Sequence, residues 1–264
     1  METSYAMVTG ATGGLGKAFA YALAKKERSL ILTGRSGEKL AALQAELKKE
    51  FTSIDVRVYA ADLTSEASRT ALMEQIAGDK LSISMLVNAA GADIQKALSA
   101  YTQEKIAFQC RVNFEAAVAL SRFAIERKAE RLEIINVSSV SGIYPMPYFA
   151  IYSASKAALT SFSIALREEV KEQNIAVTAL LPGAMPTRDD VKEQIKRQGL
   201  WGKLAAKSPE WVAEYAIKAV HKNKRKVIPG FWNKMMRFST ALLPLSWKLG
   251  FIAKRWSKIS KDAF

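Results

Sequence analysis

The chain has 264 residues, 49% hydrophobic and 24% charged, with a formal net charge of +14. These values fit a globular α/β protein with enough chain for one large core, and they exclude a disordered chain. The single Cys110 can close no internal disulfide and fits a reducing, cytoplasmic compartment, while the single His221 excludes most histidine metal sites and any Ser-His-Asp triad lacking it.

The charge is unevenly spread. Residues 222–264 hold 11 Lys or Arg and one Asp, +10 in all, which leaves +4 for the rest. Met1-Glu2-Thr3-Ser4 runs straight into an apolar stretch, so no leader peptide is expected. No run of about 18 apolar residues suggests a membrane span.

Residues 5–8 are short, apolar and bounded by Thr9-Gly10, which predicts a buried strand. Thr9-Gly10-Ala11-Thr12-Gly13-Gly14-Leu15-Gly16 follows, then a helix over residues 17–26. Strand, glycine turn and helix together form the setting of a dinucleotide site. Gly10 permits the tight turn, Gly14 the approach of a pyrophosphate, and Gly16 close packing of helix on strand. The helix N-terminus adds unpaired N–H groups and a partial positive charge.

A second strand over 29–32 ends at Thr33-Gly34-Arg35. An NAD site would place an acid here for the ribose 2′-hydroxyl; Gly34 and Arg35 instead suit a 2′-phosphate, so NADP(H) is preferred and NAD(H) is the alternative. Against this, no basic residue lies within the glycine turn. Residues 40–51 read as a helix and 55–59 as a third strand, ending near Asp62-Leu63. Asp62 either touches the adenine edge or caps the helix that starts near Ser65. A fourth strand over 83–87 runs into Asn88-Ala89-Ala90-Gly91, small residues suited to close approach of a ligand. Residues 102–127 read as one long helix carrying Cys110, expected to be a small buried residue, and Asn113, whose default role is structural.

A fifth strand over 133–137 leads to Ser138-Ser139-Val140-Ser141-Gly142. The prolines and aromatics of 143–149 suit an apolar pocket wall or a packed turn. The helix over 151–172 opens with Tyr152-Ser153-Ala154-Ser155-Lys156. Residues four apart share a helix face, so the phenol and the ammonium can act on one point. A free phenol ionises near about 10, and a nearby cation lowers that by ~1–3 units, into the range where proton exchange with a carbonyl oxygen is efficient. A sixth strand over 176–181 is followed by Pro182-Gly183 and Thr187, and a last one covers 226–228. His221 falls in a basic, surface-like stretch. This alternation predicts a doubly wound, mostly parallel, seven-stranded Rossmann-like sheet with helices on both faces, its ligands at the strand ends.

Taken together, residues 5–228 resemble the short-chain dehydrogenase/reductase family, in its NADP-preferring carbonyl or ketoacyl reductase-like branch. The resemblance rests on the turn from Thr9 to Gly16, on Asn88-Ala89-Ala90-Gly91 (with Ala where a second Asn is common), on Ser139 thirteen residues before Tyr152, on Tyr152 and Lys156, on Asn113, and on Pro182-Gly183 to Thr187. It implies that Tyr152 donates a proton to the substrate oxygen and that Lys156 tunes it and holds the nicotinamide ribose. It also implies that Ser139 hydrogen-bonds the carbonyl and that Asn113 positions a relay water, with no metal required. The cofactor residues implied are Gly10, Thr12, Gly13, Gly14, Leu15, Gly16, Arg35, Asp62, Leu63, Asn88, Ala89, Gly91, Tyr152, Lys156, Pro182, Gly183 and Thr187. A homodimer or homotetramer through the helices bearing Asn113 and Tyr152 is implied too.

Residues 188–206 fall where this family places a substrate lid. Residues 1–230 are expected to form the catalytic domain, and 231–264 a basic, aromatic-rich helical extension divided by Pro244. That extension suits an anionic membrane surface or packing on the body or a second subunit; its aliphatic content argues against nucleic acid. The substrate expected is a small hydrophobic ketone, aldehyde or 3-oxoacyl compound. The alternative reading is a nucleotide-binding regulatory or membrane-associated scaffold protein with little turnover.

Overall fold

A computed structural model describes residues 3–187, 206–241 and 243–257. Apart from Ala206, the expected lid lies outside the described residues. Seven strands form one sheet: β1 (Ser4–Thr9), β2 (Ser29–Gly34), β3 (Val56–Ala60), β4 (Ser82–Asn88), β5 (Lys128–Val137), β6 (Ile175–Leu180) and β7 (Lys226–Val227). Their order is β3-β2-β1-β4-β5-β6-β7, and every pairing is parallel. The chain winds outward from β1 to β3, then returns to β4 beside β1. The order therefore reverses between β1 and β4, which opens a crevice at the strand ends.

The helices are α1 (Gly14–Ala24), α2 (Gly37–Glu50), α3 (Glu66–Gly78), α4 (Gln103–Cys110), α5 (Ala116–Glu126), α6 (Ala150–Glu169), α7 (Pro209–His221), α8 (Phe231–Ala241) and α9 (Leu245–Trp256). Period-two alternation in the strands feeds two cores. Ala6, Val8, Leu30, Leu32 and Ile135 pack with α1, α2 and α7. Tyr5, Met7, Ile31, Leu132 and Ile134 pack with α3, α5 and α6 on the opposite face. In β4 the register shifts between Ile83 and Met85, so Ile83 and Leu86 share a face while Met85 and Val87 share the other. Side-chain caps set several helix starts: Ser36 for α2, Ser65 for α3, Thr102 for α4 and Ser208, with Pro209 behind it, for α7.

Several local expectations change. Helix α1 begins at Gly14, inside the glycine turn, because Gly13 and Gly14 adopt the last extended and first helical positions without side-chain obstruction. The long helix over 102–127 is interrupted by a π turn at Arg111–Glu115. Cys110 is exposed rather than buried, since the inner face of α4 is taken by Gln109. Asp62 does not cap α3. Its Oδ1 accepts from the Thr64 N–H at 2.9 Å and the Thr64 hydroxyl at 2.8 Å, and Ser65 supplies the cap. His221 is exposed, as expected, yet its Nδ1 lies 3.1 Å from the buried Glu133 carboxylate.

Candidate active site

Thr9 closes β1 with a hydroxyl that accepts from the N–H groups of Ala89 and Ala90, both at 3.0 Å. This one side chain locks the ends of β1 and β4 together. Gly10 then turns with φ +61°, and a Cβ there would lie 2.9 Å from Ala90 Cα; no other residue fits both conditions. Gly16 is tighter still, for its Cβ would fall 2.1 Å from the Gly10 carbonyl oxygen. The first turn of α1 has no side-chain cap, so its leading N–H groups remain open to an anion.

The turn opens into a cleft of about 1000 Å³. Gly10, Gly13, Gly14, Leu15 and Gly16 line it, as do Ala89 and Gly91 after β4 and Pro182, Gly183 and Thr187 after β6. Thr187 lies so close to Gly14 that a Cβ there would meet its Cγ2 at 2.7 Å. Gly91 is equally constrained: its Cβ would stand 2.9 Å from Asn113 Oδ1 and 3.3 Å from Lys156 Nζ. The cradle is therefore shaped by absent side chains, as close approach of a dinucleotide backbone requires.

The reactive groups meet at the same cleft. Ser139, Tyr152 and Lys156 all line it. Ser139 Oγ accepts from the Ser141 N–H at 3.1 Å, which leaves its own proton to donate. Tyr152 stacks on Phe149, with ring centres 4.3 Å apart. Lys156 Nζ lies 5.9 Å from the centre of the Tyr152 ring. Lys156 is only 4% exposed, and its ammonium donates to the Val137 carbonyl at 2.8 Å. Burial pulls its pKa down from 10.5 to about 8, and the Asp93 carboxylate opposes that shift.

Asn113 sits in the π turn. Its Oδ1 accepts from the Ala92 N–H at 2.8 Å, and its Nδ2 donates to the Ala92 carbonyl at 2.9 Å and to Ser155 Oγ at 3.2 Å. Its side chain is thus a clamp between the end of β4 and α6. Ser138, beside Ser139, is spent on the Lys156 carbonyl and Thr160.

Other sequence-derived residues are not brought together here. Asn88 points into the sheet interior, where its Nδ2 donates to Asn136 Oδ1 at 2.8 Å and to the Ala117 carbonyl and Ser121 Oγ at 3.3 Å. It is the last residue of β4, and alternation turns it toward α5 rather than the cleft. The Leu63 side chain belongs to the α3 core. Thr12 stands beside the end of β2, its hydroxyl 3.5 Å from where a Gly34 Cβ would be. Arg35 and Asp62 share a second cavity of about 570 Å³ with Thr64, Phe108 and Arg111.

The sequence reading missed Asp93, Gln95 and Asn233, and with them the contribution of the C-terminal helices. Trp247, Lys248, Phe251, Ile252 and Trp256 of α9 all line the main cleft. Trp256 stacks on Phe149 at 6.2 Å, on the ring that itself stacks on Tyr152. Lys248, Ile252 and Trp256 recur every fourth residue, so a single inward face of α9 was visible in the spacing.

Residues 4–198 match the family model described as short chain dehydrogenase. A very-long-chain 3-oxoacyl-CoA reductase from Bos taurus is 33% identical over 82% of this chain and 68% of its own length. The 17-beta-hydroxysteroid dehydrogenase type 3 of Homo sapiens is 32% identical over 69% of this chain and 59% of its own. The chain thus spans roughly two thirds or less of these relatives. Among solved structures, a short-chain dehydrogenase from Sphingobium yanoikuyae in complex with NADPH is 25% identical. It has a TM-score of 0.76 and covers 99% of this chain and 100% of its own.

Proposed function

The chain belongs to the short chain dehydrogenase family, and on that premise we propose that this oxidoreductase uses NADP(H) to interconvert a carbonyl and an alcohol on a hydrophobic ketone, aldehyde or 3-oxoacyl substrate. One observation carries the proposal: the buried Lys156 ammonium, the Tyr152 ring and the Ser139 hydroxyl border one cleft into which the glycine turn also opens.

The residues fit the cofactor. Gly10, Gly14, Gly16, Gly91 and Gly183 each stand where a Cβ would collide, and Arg35 at the end of β2 suits a 2′-phosphate. NAD(H) remains the poorer alternative, for no carboxylate holds the place of Gly34. Gly10, Gly13 to Gly16, Gly91, Pro182, Gly183 and Thr187 would hold the dinucleotide, with Arg35 and Asp62 toward its adenosine end. Bound NADPH supplies the hydride.

In this reading Ser139 donates a hydrogen bond to the substrate oxygen and Tyr152 transfers its proton there as negative charge develops. The Lys156 cation favours charge on the phenol oxygen. Asn113 acts through position, by holding Ala92 and so the approach of Gly91 to Lys156. Tyr144, Met146, Phe149, Ile252 and Trp256 make the outer cleft apolar, which supports a hydrophobic substrate, as do the names of the reductase and the steroid dehydrogenase above. In this reading the chain works as a homodimer or homotetramer, paired through the helices that bear Asn113 and Tyr152.

Following NADPH absorbance over a panel of aliphatic, steroid and 3-oxoacyl ketones tests the proposal. Tyr152→Phe should abolish turnover and leave NADPH binding nearly intact. Turnover surviving in that variant would remove Tyr152 from its role.

A further inference from the structure

Helix α9 both covers the cleft and leaves large apolar side chains exposed at its mouth. Its inner face closes the cleft: Trp256 stacks on Phe149, Lys248 Nζ lies 5.0 Å from the Tyr144 ring centre, and Ile252 sits between them in sequence. Leu245, Trp247 and Phe251 nonetheless stay 52%, 71% and 74% exposed, with Trp247 and Phe251 at the mouth of the cleft they line. In α8, Phe231, Met235 and Phe238 fall at i, i+4 and i+7 on one side of the helix, and all three are exposed. Asn233 on the other side is buried, donates to the Pro229 carbonyl at 2.8 Å and abuts Gly183. Both helices are thus seated on the catalytic body while displaying large apolar side chains outward. No described helix is long and apolar enough to cross a membrane.

Exposed aromatics of this size on two adjoining helices are a surface in want of a partner. Charge selects the partner. Residues 231–264 contain seven Lys or Arg against one Asp, which suits a surface that is apolar beneath and negative above. We propose that α8 and α9 dock flat on an anionic lipid bilayer, and that this contact opens the cleft so that an apolar substrate enters from the membrane. This deepens the carbonyl-reductase reading and rests on it for the substrate. The link between docking and access is mechanical. The helix that presents Trp247 and Phe251 to lipid also presses Trp256 onto the Phe149–Tyr152 stack, so insertion of the rim draws on the same element that covers the cleft.

The test uses the full chain with NADPH. Cosedimentation with vesicles of phosphatidylglycerol and of phosphatidylcholine, together with tryptophan emission, reads docking without any turnover. Binding to the anionic vesicles alone is expected, with a blue shift in emission. The double variant Phe238→Ser/Leu245→Ser, at exposed positions that do not line the cleft, should weaken partitioning by roughly tenfold or more and leave reduction of a water-soluble ketone unchanged. In the native protein, anionic vesicles should raise kcat/KM for a bilayer-soluble ketone several-fold, an effect the double variant lacks. Equal binding to both vesicles, no binding, or anionic binding by an enzyme that turns over a ketone yet gains nothing in kcat/KM overturns the proposal. So does a halved mass of the double variant in light scattering with no vesicle binding by the native protein, which gives the surface to a second copy. Anionic vesicle binding without turnover on any ketone supports the docking surface and overturns the enzyme reading.

Discussion

Lys156 carries its amine into a buried position, where one carbonyl hydrogen bond and the Asp93 carboxylate stand against the loss of hydration. Its folded-state pKa of about 8 lies below the ordinary 10.5, so the folded protein sheds this proton first. Below about 8 the buried charge is carried at full penalty, on the order of 3 kcal/mol. Between about 8 and 10.5 the unfolded chain binds the proton and the folded chain does not, so stability rises with pH across that window. Urea midpoints at pH 7 and pH 10 check this: the native protein should gain on Lys156→Met between the two. Activity should move the other way. Carbonyl reduction at saturating NADPH is expected to fall as pH passes about 8, because the cation beside Tyr152 is lost. A pH–rate profile that stays level to pH 10 would detach Lys156 from the chemistry.

At the scale of elements, the β1–turn–α1 unit is built on clearances measured in tenths of an ångström. A Cβ at Gly16 would lie 2.1 Å from the Gly10 carbonyl oxygen, a backbone atom that cannot step aside. Gly16→Ala should cost more than about 3 kcal/mol, seen as a collapse of the thermal midpoint or failure to fold. Gly78, at the end of α3, has nothing within 4 Å of such a Cβ. Gly78→Ala should raise the midpoint, by up to about 1 kcal/mol of added stability. At the end of β2, Arg35→Ala should weaken NADPH by roughly tenfold to a hundredfold, the worth of a charged hydrogen bond, with NADH little changed. Fluorescence titration of both cofactors settles it, and equal losses for the two would move the 2′-phosphate elsewhere in the cavity that Arg35 shares with Arg111.

At the scale of the whole molecule, the C-terminal helices complete a site whose floor lies more than 90 residues earlier in the chain. Trp256→Ala should raise KM for an apolar ketone several-fold while leaving NADPH affinity unchanged, because the stack it removes belongs to the apolar outer cleft and not to the glycine cradle. By itself the sequence determined the strand and helix rhythm, the glycine turn, and the placing of Ser139, Tyr152 and Lys156 at strand and helix ends. These are local properties: a period of two, a spacing of four, and a turn only glycine can make. Several features were decided by tertiary structure alone. Asn88 binds Asn136 while Gly91 faces the cleft, Asn113 clamps Ala92 to Ser155, Cys110 is left outside, and α9 lies over Phe149. The reason is that an amphipathic pattern states which side of an element must be covered, whereas the surface that covers it is chosen by packing between segments remote in sequence.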